Sequence, residues 1–86
     1  ISYRVHVQDV GWQDWKSNGE IAGTTGEEKR VEAIRIELKD TTKYDVQYRA
    51  YVQDIGWQDW KSNGEIAGTT GEEKRVEAIQ IKLVEK

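Results

Sequence analysis

Two pairs of tryptophans are the residues of this chain best suited to bind a ligand. Trp12 and Trp15 lie in the segment Gly-Trp-Gln-Asp-Trp, and the same segment returns with Trp57 and Trp60. An indole ring can stack on the apolar face of a sugar ring, while amide, carboxylate and hydroxyl groups hydrogen-bond to sugar hydroxyls. These segments therefore favour glycan binding over a chemical reaction.

Polar side chains close in sequence to each tryptophan pair complete two candidate sites. The candidate ligand-binding residues are Trp12, Gln13, Asp14, Trp15, Asn18, Thr24 and Thr25, with Trp57, Gln58, Asp59, Trp60, Asn63, Thr69 and Thr70 as their copies. Tryptophans three residues apart in a strand point to opposite faces unless a bulge intervenes, which predicts one core and one exposed ring per pair. A purely structural role stays open, because a chain without Phe can use Trp as its core and Gly-Thr-Thr-Gly as a simple turn.

Catalytic and metal-binding patterns are weak in this sequence. His6 is the only histidine, its counterpart in the second half is Tyr51, and cysteine is absent, so no His-based triad or Cys–His pair can be repeated. The carboxylates lie beside Lys and Arg, as in residues 27–30, which is typical of a solvated loop. Residues 14–19 resemble the start of a calcium loop but carry Lys16 where an oxygen ligand belongs. We therefore expect no enzyme activity, no cofactor and no metal.

Composition limits the partners and the size of the core. The net charge of −3 gives no basic surface for nucleic acid, and no apolar run is long enough for membrane insertion. Hydrophobic residues make up 36% of the chain, so a lone unit would be marginal, yet four Trp and four Tyr argue against disorder. The start at Ile1, without Met or a signal peptide, we interpret as that of a fragment from a longer, processed protein.

The elements that must position these residues form an internal repeat of about 45 residues. Residues 11–34 recur unchanged as residues 56–79, and we place the two units at 1–45 and 46–86. Repeats of this length bury their apolar faces against neighbouring units and need more than one neighbour. The repeat therefore predicts a homo-oligomer, with a trimer of six units as the first hypothesis, or a longer repeat array.

Each unit predicts an all-β fold of about four short antiparallel strands. In the first unit we expect strands near residues 2–8, 10–16, 20–22 and 31–38, from alternating apolar positions and from the hairpin signal Asn18-Gly19 and its copy Asn63-Gly64. The spacing of Thr24 and Glu27 leaves a short helix through residue 33 as an alternative. Such units close into propeller-, prism- or trefoil-like assemblies, which protect strand edges.

Motifs in both units resemble a known repeat family. Gly11-Trp12, Trp15, Ala22-Gly23-Thr24-Thr25-Gly26 and Glu32-Ala33-Ile34 occur in order, and again from Gly56, as in the clostridial hydrophobic repeat with a characteristic Trp (ChW repeat). The resemblance covers nearly the whole chain. It implies an extracellular repeat of secreted or surface proteins of Gram-positive bacteria that binds cell-wall polysaccharide or another glycan. A self-assembly or protein-interaction repeat, or an engineered symmetric scaffold without a ligand, is the alternative.

Overall fold

The computed structural model describes residues 1–39 and 41–86, and no helix occurs in this part of the chain. The all-β class is therefore confirmed, and the alternative of a helix from Thr24 to residue 33 is wrong. The strands described are β1 (Ser2–Val7), β2 (Gly11–Trp12), β3 (Lys16–Ser17), β4 (Val31–Glu37), β5 (Tyr44–Val52), β6 (Gly56–Trp57), β7 (Lys61–Ser62), β8 (Ala67–Gly68) and β9 (Val76–Glu85).

Two antiparallel sheets correspond to the two repeats. In the first, β1 pairs with β4 along one edge and with both β2 and β3 along the other. In the second, β5 pairs in the same way with β9, β6 and β7. Strand β8 comes from the second repeat but pairs with β4 of the first. The repeats are thus joined by strand pairing into one open arrangement, and a closed propeller, prism or trefoil stays a prediction.

The long strands agree with the sequence prediction, whereas the short ones differ from it. The strand expected over residues 10–16 is split into β2 and β3, which pair with opposite ends of β1. The Gln13 amide still donates to the Val5 carbonyl of β1, and the register between Trp12 and Lys16 contains one extra residue, which is a β-bulge. The strand expected near 20–22 does not form in the first repeat, and its copy forms as β8 because β4 offers it an edge. The expected Asn18-Gly19 turn is present, with the Glu20 amide donating to the Ser17 carbonyl.

The buried core lies where the two repeats meet. Its members are Ile36, Val46, Tyr48, Ala50, Val52 and Ala67, contributed by β4 of the first repeat and by β5 and β8 of the second. The equivalent position to Ile36 on β9 is Ile81, which is 51% exposed while Ile36 is 1% exposed. A repeat unit therefore buries its apolar face against its neighbour, as the low hydrophobic content of the chain requires.

Tyr48 is the largest fully buried side chain of this core. Its hydroxyl donates to the Glu65 carbonyl, so the polar end is satisfied while the ring packs between the repeats. Burial raises the pKa of the Tyr48 hydroxyl above its ordinary value, because the phenolate would lose its hydration. The junction between repeats is consequently apolar with one satisfied polar group.

Candidate ligand-binding face

Strand β1 presents two different faces because its side chains alternate. Val5 and Val7 are buried, whereas Arg4 and His6 lie on the other face, half-buried. His6 stands opposite Trp12 of β2, and the two rings meet edge to face with their centroids 5.4 Å apart. The tryptophans therefore lie on the face of the sheet that carries Arg4.

Arg4 lies between the two tryptophans of the first repeat. Its guanidinium carbon is 5.4 Å from the centroid of Trp12 and 5.5 Å from that of Trp15, and Arg35 is 5.4 Å from the same Trp15 ring. These distances are within the range of cation–π attraction. We call His6, Trp12, Arg4, Trp15 and Arg35 the first Trp–cation stack.

The second repeat builds the same arrangement with two substitutions. Arg49 lies 4.8 Å from the centroids of both Trp57 and Trp60, and Tyr51 takes the place of His6 against Trp57. The second cation of this stack is the Lys82 amine, 4.1 Å from the Trp60 centroid, because the position equivalent to Arg35 is Gln80. The second Trp–cation stack consists of Tyr51, Trp57, Arg49, Trp60 and Lys82.

The prediction of one core and one exposed tryptophan per pair is wrong. Trp12 and Trp15 are both half-buried, and Trp57 and Trp60 are both exposed. The strand period does not carry from one ring to the other, because a β-bulge of one extra residue lies between β2 and β3, the exception that the sequence prediction allowed. The bulge turns the second ring back to the arginine that the first ring contacts.

The glutamine between each pair of tryptophans holds a neighbouring loop. The Gln13 carbonyl oxygen accepts from the Gly23 amide at 2.7 Å, and its NH₂ group donates to the Gly23 carbonyl at 3.2 Å. Gln58 makes the same two bonds with Gly68. In both repeats, the Gly-Thr-Thr-Gly turn is therefore fastened to the tryptophan segment through this amide.

The other predicted site residues lie in three kinds of environment. The Asn63 side-chain oxygen accepts from the Leu38 amide at 2.6 Å across the repeat junction, and Asn18 accepts from the amino group of Ile1. The hydroxyls of Thr24 and Thr69 are buried and, among the residues described, find no hydrogen-bond partner. Asp14, Thr25, Asp59 and Thr70 are exposed, as are both asparagines.

The sequence reasoning missed the cations of both stacks. Arg4 and Arg49 alternate with the apolar residues of β1 and β5, and this pattern places them on the face opposite the core. The hairpin between Val7 and Gly11 then sets the following Trp on that same face. The alternation of side chains along the strand could therefore have predicted the contact between the arginine and the tryptophan. Arg35 and Lys82 carry no such signal, because their counterparts in the other repeat are Gln80 and Glu37.

A shallow polar depression adjoins the exposed stack. It has a volume of about 460 Å³ and is lined by Tyr51 and by charged side chains that include Asp54, Arg75 and Glu77. Among residues 1–39 and 41–86, no group of three or more acidic or histidine side chains is placed to hold a metal ion. The same part of the chain contains no helix long and apolar enough to cross a membrane.

Comparison with known proteins identifies one family. The model of the family described as ChW, Clostridial hydrophobic W, matches residues 6–40 and again residues 51–85. The two matches fall on the two repeats and include both Trp pairs with their Gly-Thr-Thr-Gly turns. No curated protein and no solved structure matches the chain.

Proposed function

The chain belongs to the ChW (Clostridial hydrophobic W) family, and we propose that it is a non-catalytic repeat module that binds cell-wall polysaccharide or another glycan at the bacterial cell surface. The observation that carries this proposal is the exposed second Trp–cation stack. Trp57 and Trp60 are 41% and 37% exposed, and both contact Arg49. Clustered exposed aromatic rings are typical of an interaction surface.

The chemistry of the second stack suits a sugar. Arg49 lies between the two indoles and its Nε donates to the Gln80 side chain at 2.7 Å, which fixes the guanidinium in place. Its terminal NH₂ groups are donors for sugar hydroxyls, and the indoles supply apolar surface beside them. Because the stack is already ordered, binding costs little side-chain entropy.

The polar residues predicted to accompany Trp57 and Trp60 have different parts in this proposal. Asp59 and Thr70 are exposed and supply acceptors and donors for a ligand. Gln58 holds Gly68 with both ends of its amide and acts as a positioning residue for the turn. Two stacks per chain would add their weak affinities on a polymer that repeats the same sugar.

The test is co-sedimentation of the chain with purified Gram-positive cell walls. We expect the parent to bind and Trp57→Ala combined with Trp60→Ala to weaken binding about tenfold or more, because these side chains form the contact surface. Tyr44→Ala is the matched control, since Tyr44 is an aromatic residue of similar exposure (39%) outside the stack. Circular dichroism establishes that each variant is folded.

Loss of binding in the tryptophan variant with retention in Tyr44→Ala supports the stack as the site. Equal binding by all three proteins places the glycan contact elsewhere on the chain. No binding by the parent to any of several wall types favours the alternative, a self-assembly repeat or a scaffold without a ligand.

A further inference from the structure

The junction between the two repeats shows how one unit recognises the next. Backbone pairing joins Ala33 to Gly68 and Ile34 to Ala67. Beyond the paired strands, the Gly64 amide donates to the Ile36 carbonyl at 2.7 Å. The junction thus combines an added strand with an apolar contact in which Ile36 and Ala67 are 1% and 0% exposed.

Each half of this junction occurs a second time in the chain. The residues of β4 that form it recur on β9 as Ile79, Ile81 and Leu83, which we call the strand face. The residues that receive β4 recur in the first repeat as Ile1, Tyr3 and Ala22, which we call the loop edge. The chain therefore carries both complementary surfaces, one in each repeat.

Both recurring surfaces are less covered than the junction. Ile79, Ile81 and Leu83 are 37%, 51% and 59% exposed, and in the described chain β9 pairs with β5 alone. On the loop edge, Ile1 is 45% exposed and Tyr3 and Ala22 are half-buried, whereas their counterparts Val46, Tyr48 and Ala67 are fully buried. Adjacent exposed aliphatic side chains on a strand with an unpaired edge form a surface for another strand.

Gly68 at the junction and the equivalent Gly23 on the loop edge differ in what lies next to them. A methyl group at Gly68 would meet the Glu32 carbonyl oxygen at 2.5 Å, so this close approach requires glycine. At the equivalent Gly23, the nearest atom to such a methyl group is 3.6 Å away, on Val31. Gly23 and Gly68 share a positive φ, of 109° and 104°, so the first repeat has the same backbone conformation with open space where the second repeat receives β4.

We propose that a second copy of this chain docks head to tail, its loop edge adding to β9 of the first copy. The register of the existing junction assigns Gly23 to Ala78 and Ala22 to Ile79. In this register the Gly19 amide of the incoming copy donates to the Ile81 carbonyl. The interface is made from two different surfaces, so it leads to a closed ring or an open filament of copies.

The apolar outer face of β9 supports a further copy over a solvent-facing end. A terminal repeat that ends an array carries a polar outer face, whereas β9 keeps all three aliphatic residues. The substitution of Arg35 by Gln80 removes one contact, because Arg35 donates to the Gly64 carbonyl at 2.9 Å. We therefore expect an interface with the backbone and apolar contacts of the existing junction but without this charged hydrogen bond.

The test uses two variants that each block one surface. Ile81→Asp places a carboxylate on the strand face, and Ala22→Asp places one on the loop edge. Each variant keeps the other surface intact, so neither can self-associate, but a 1:1 mixture can form one interface. Ile55→Asp is the matched control, because Ile55 is 47% exposed and lies on neither surface.

Sedimentation velocity measures the mass of the 86-residue chain at protein concentrations from about 1 to about 300 µM. We expect association of the parent and of Ile55→Asp, with the dissociation constants of Ile81→Asp and Ala22→Asp raised about 30-fold or more by a buried unpaired charge. The mixture of the two variants should give a mass of two chains. A parent that stays monomeric, variants that associate like the parent, or a mixture that stays monomeric each overturns the proposal, and none of these results depends on glycan binding.

Discussion

Ile36 and Ile81 offer a comparison of one residue type at equivalent places in two repeats. Ile36 lies at the junction between repeats and is 1% exposed, while Ile81 is 51% exposed on the uncovered strand β9. Replacement by Ala removes three carbons from either side chain. If the junction supplies the core of this protein, the two replacements have very different costs.

The magnitude follows from the buried carbons. At about 0.8 kcal/mol for each buried CH₂ group, three carbons at Ile36 give about 2.4 kcal/mol. The cavity left in the junction adds to this value, so Ile36→Ala should cost about 3 kcal/mol, within the range for such changes in cores. Ile81→Ala should cost less than about 1 kcal/mol, because that side chain is largely in water.

Urea unfolding followed by tryptophan fluorescence measures both costs. With a denaturant dependence of about 1.5 kcal/mol per molar urea, Ile36→Ala should lower the midpoint by about 2 M and Ile81→Ala by less than about 0.7 M. If Ile36→Ala does not fold, Ile36→Val should lower stability by about 1 kcal/mol and provides the same comparison against Ile81→Val. The measurements are made at about 1 µM, where association between copies contributes least.

Equal destabilisation by the two replacements in dilute solution would refute the reasoning. It would mean that β9 is as well covered within a single chain as β4, and that the core does not depend on the neighbouring repeat. A cost at Ile81 that grows with protein concentration would instead report contact between copies.

Two further predictions concern the junction between the repeats. Burial raises the pKa of the Tyr48 hydroxyl, so the unfolded chain releases this proton near pH 10 while the folded chain keeps it. The contribution of the protonated hydroxyl to the free energy of unfolding is therefore present below about pH 10, and it is lost as pH rises through the folded-state pKa. Tyr48→Phe should lower stability at pH 8 by about 1 kcal/mol and flatten the decline of the urea midpoint between pH 9 and 11, and an unchanged decline would contradict this. Gly23→Ala and Gly68→Ala both place a side chain at positive φ, at a cost of about 1–2 kcal/mol, but only at Gly68 does the methyl group also strike the Glu32 carbonyl and Ala33. Thermal unfolding should therefore show Gly68→Ala as the less stable variant, and equal melting temperatures would contradict the close approach of the two repeats.

The period of two and the internal repeat predicted the long strands well. The alternation of apolar and polar residues placed β1 and β4 close to their observed bounds, since a strand with one buried face leaves a clear trace in sequence. The same alternation in the second repeat falls within β5 and β9, which extend beyond it. The short strands were predicted less well. A strand of two residues exists only because it pairs with a longer strand, and two residues are too few to show an alternation of apolar and polar side chains. Ala22 and Ala67 have identical neighbours in sequence, yet only Ala67 lies in a strand.

The candidate site was predicted in part, for a related reason. The tryptophans and their polar neighbours were recognised from residue type, but their partners come from strands distant in sequence. Arg4 is predictable from the alternation in β1, whereas Lys82 reaches Trp60 from β9, and its counterpart Glu37 gives no indication of such a contact. The two bonds between Gln13 and Gly23 also depend on the β-bulge between β2 and β3, which no local pattern encodes.

The identity of residues 11–34 and 56–79 shows where the stability of this fold resides. The same sequence is present twice, but Glu32 is buried at the junction, whereas its copy Glu77 is exposed. Two differences in the surroundings account for this: the second repeat covers Glu32, with the Thr69 amide donating to the Glu32 carbonyl, and His6 contacts the Glu32 carboxylate where the second repeat has Tyr51. Each repeat thus contributes one strand edge and one apolar surface, and both become stabilising when the next unit covers them. A chain of two units satisfies one junction and leaves the two halves of another open, which is the physical reason to expect further units or copies beside it.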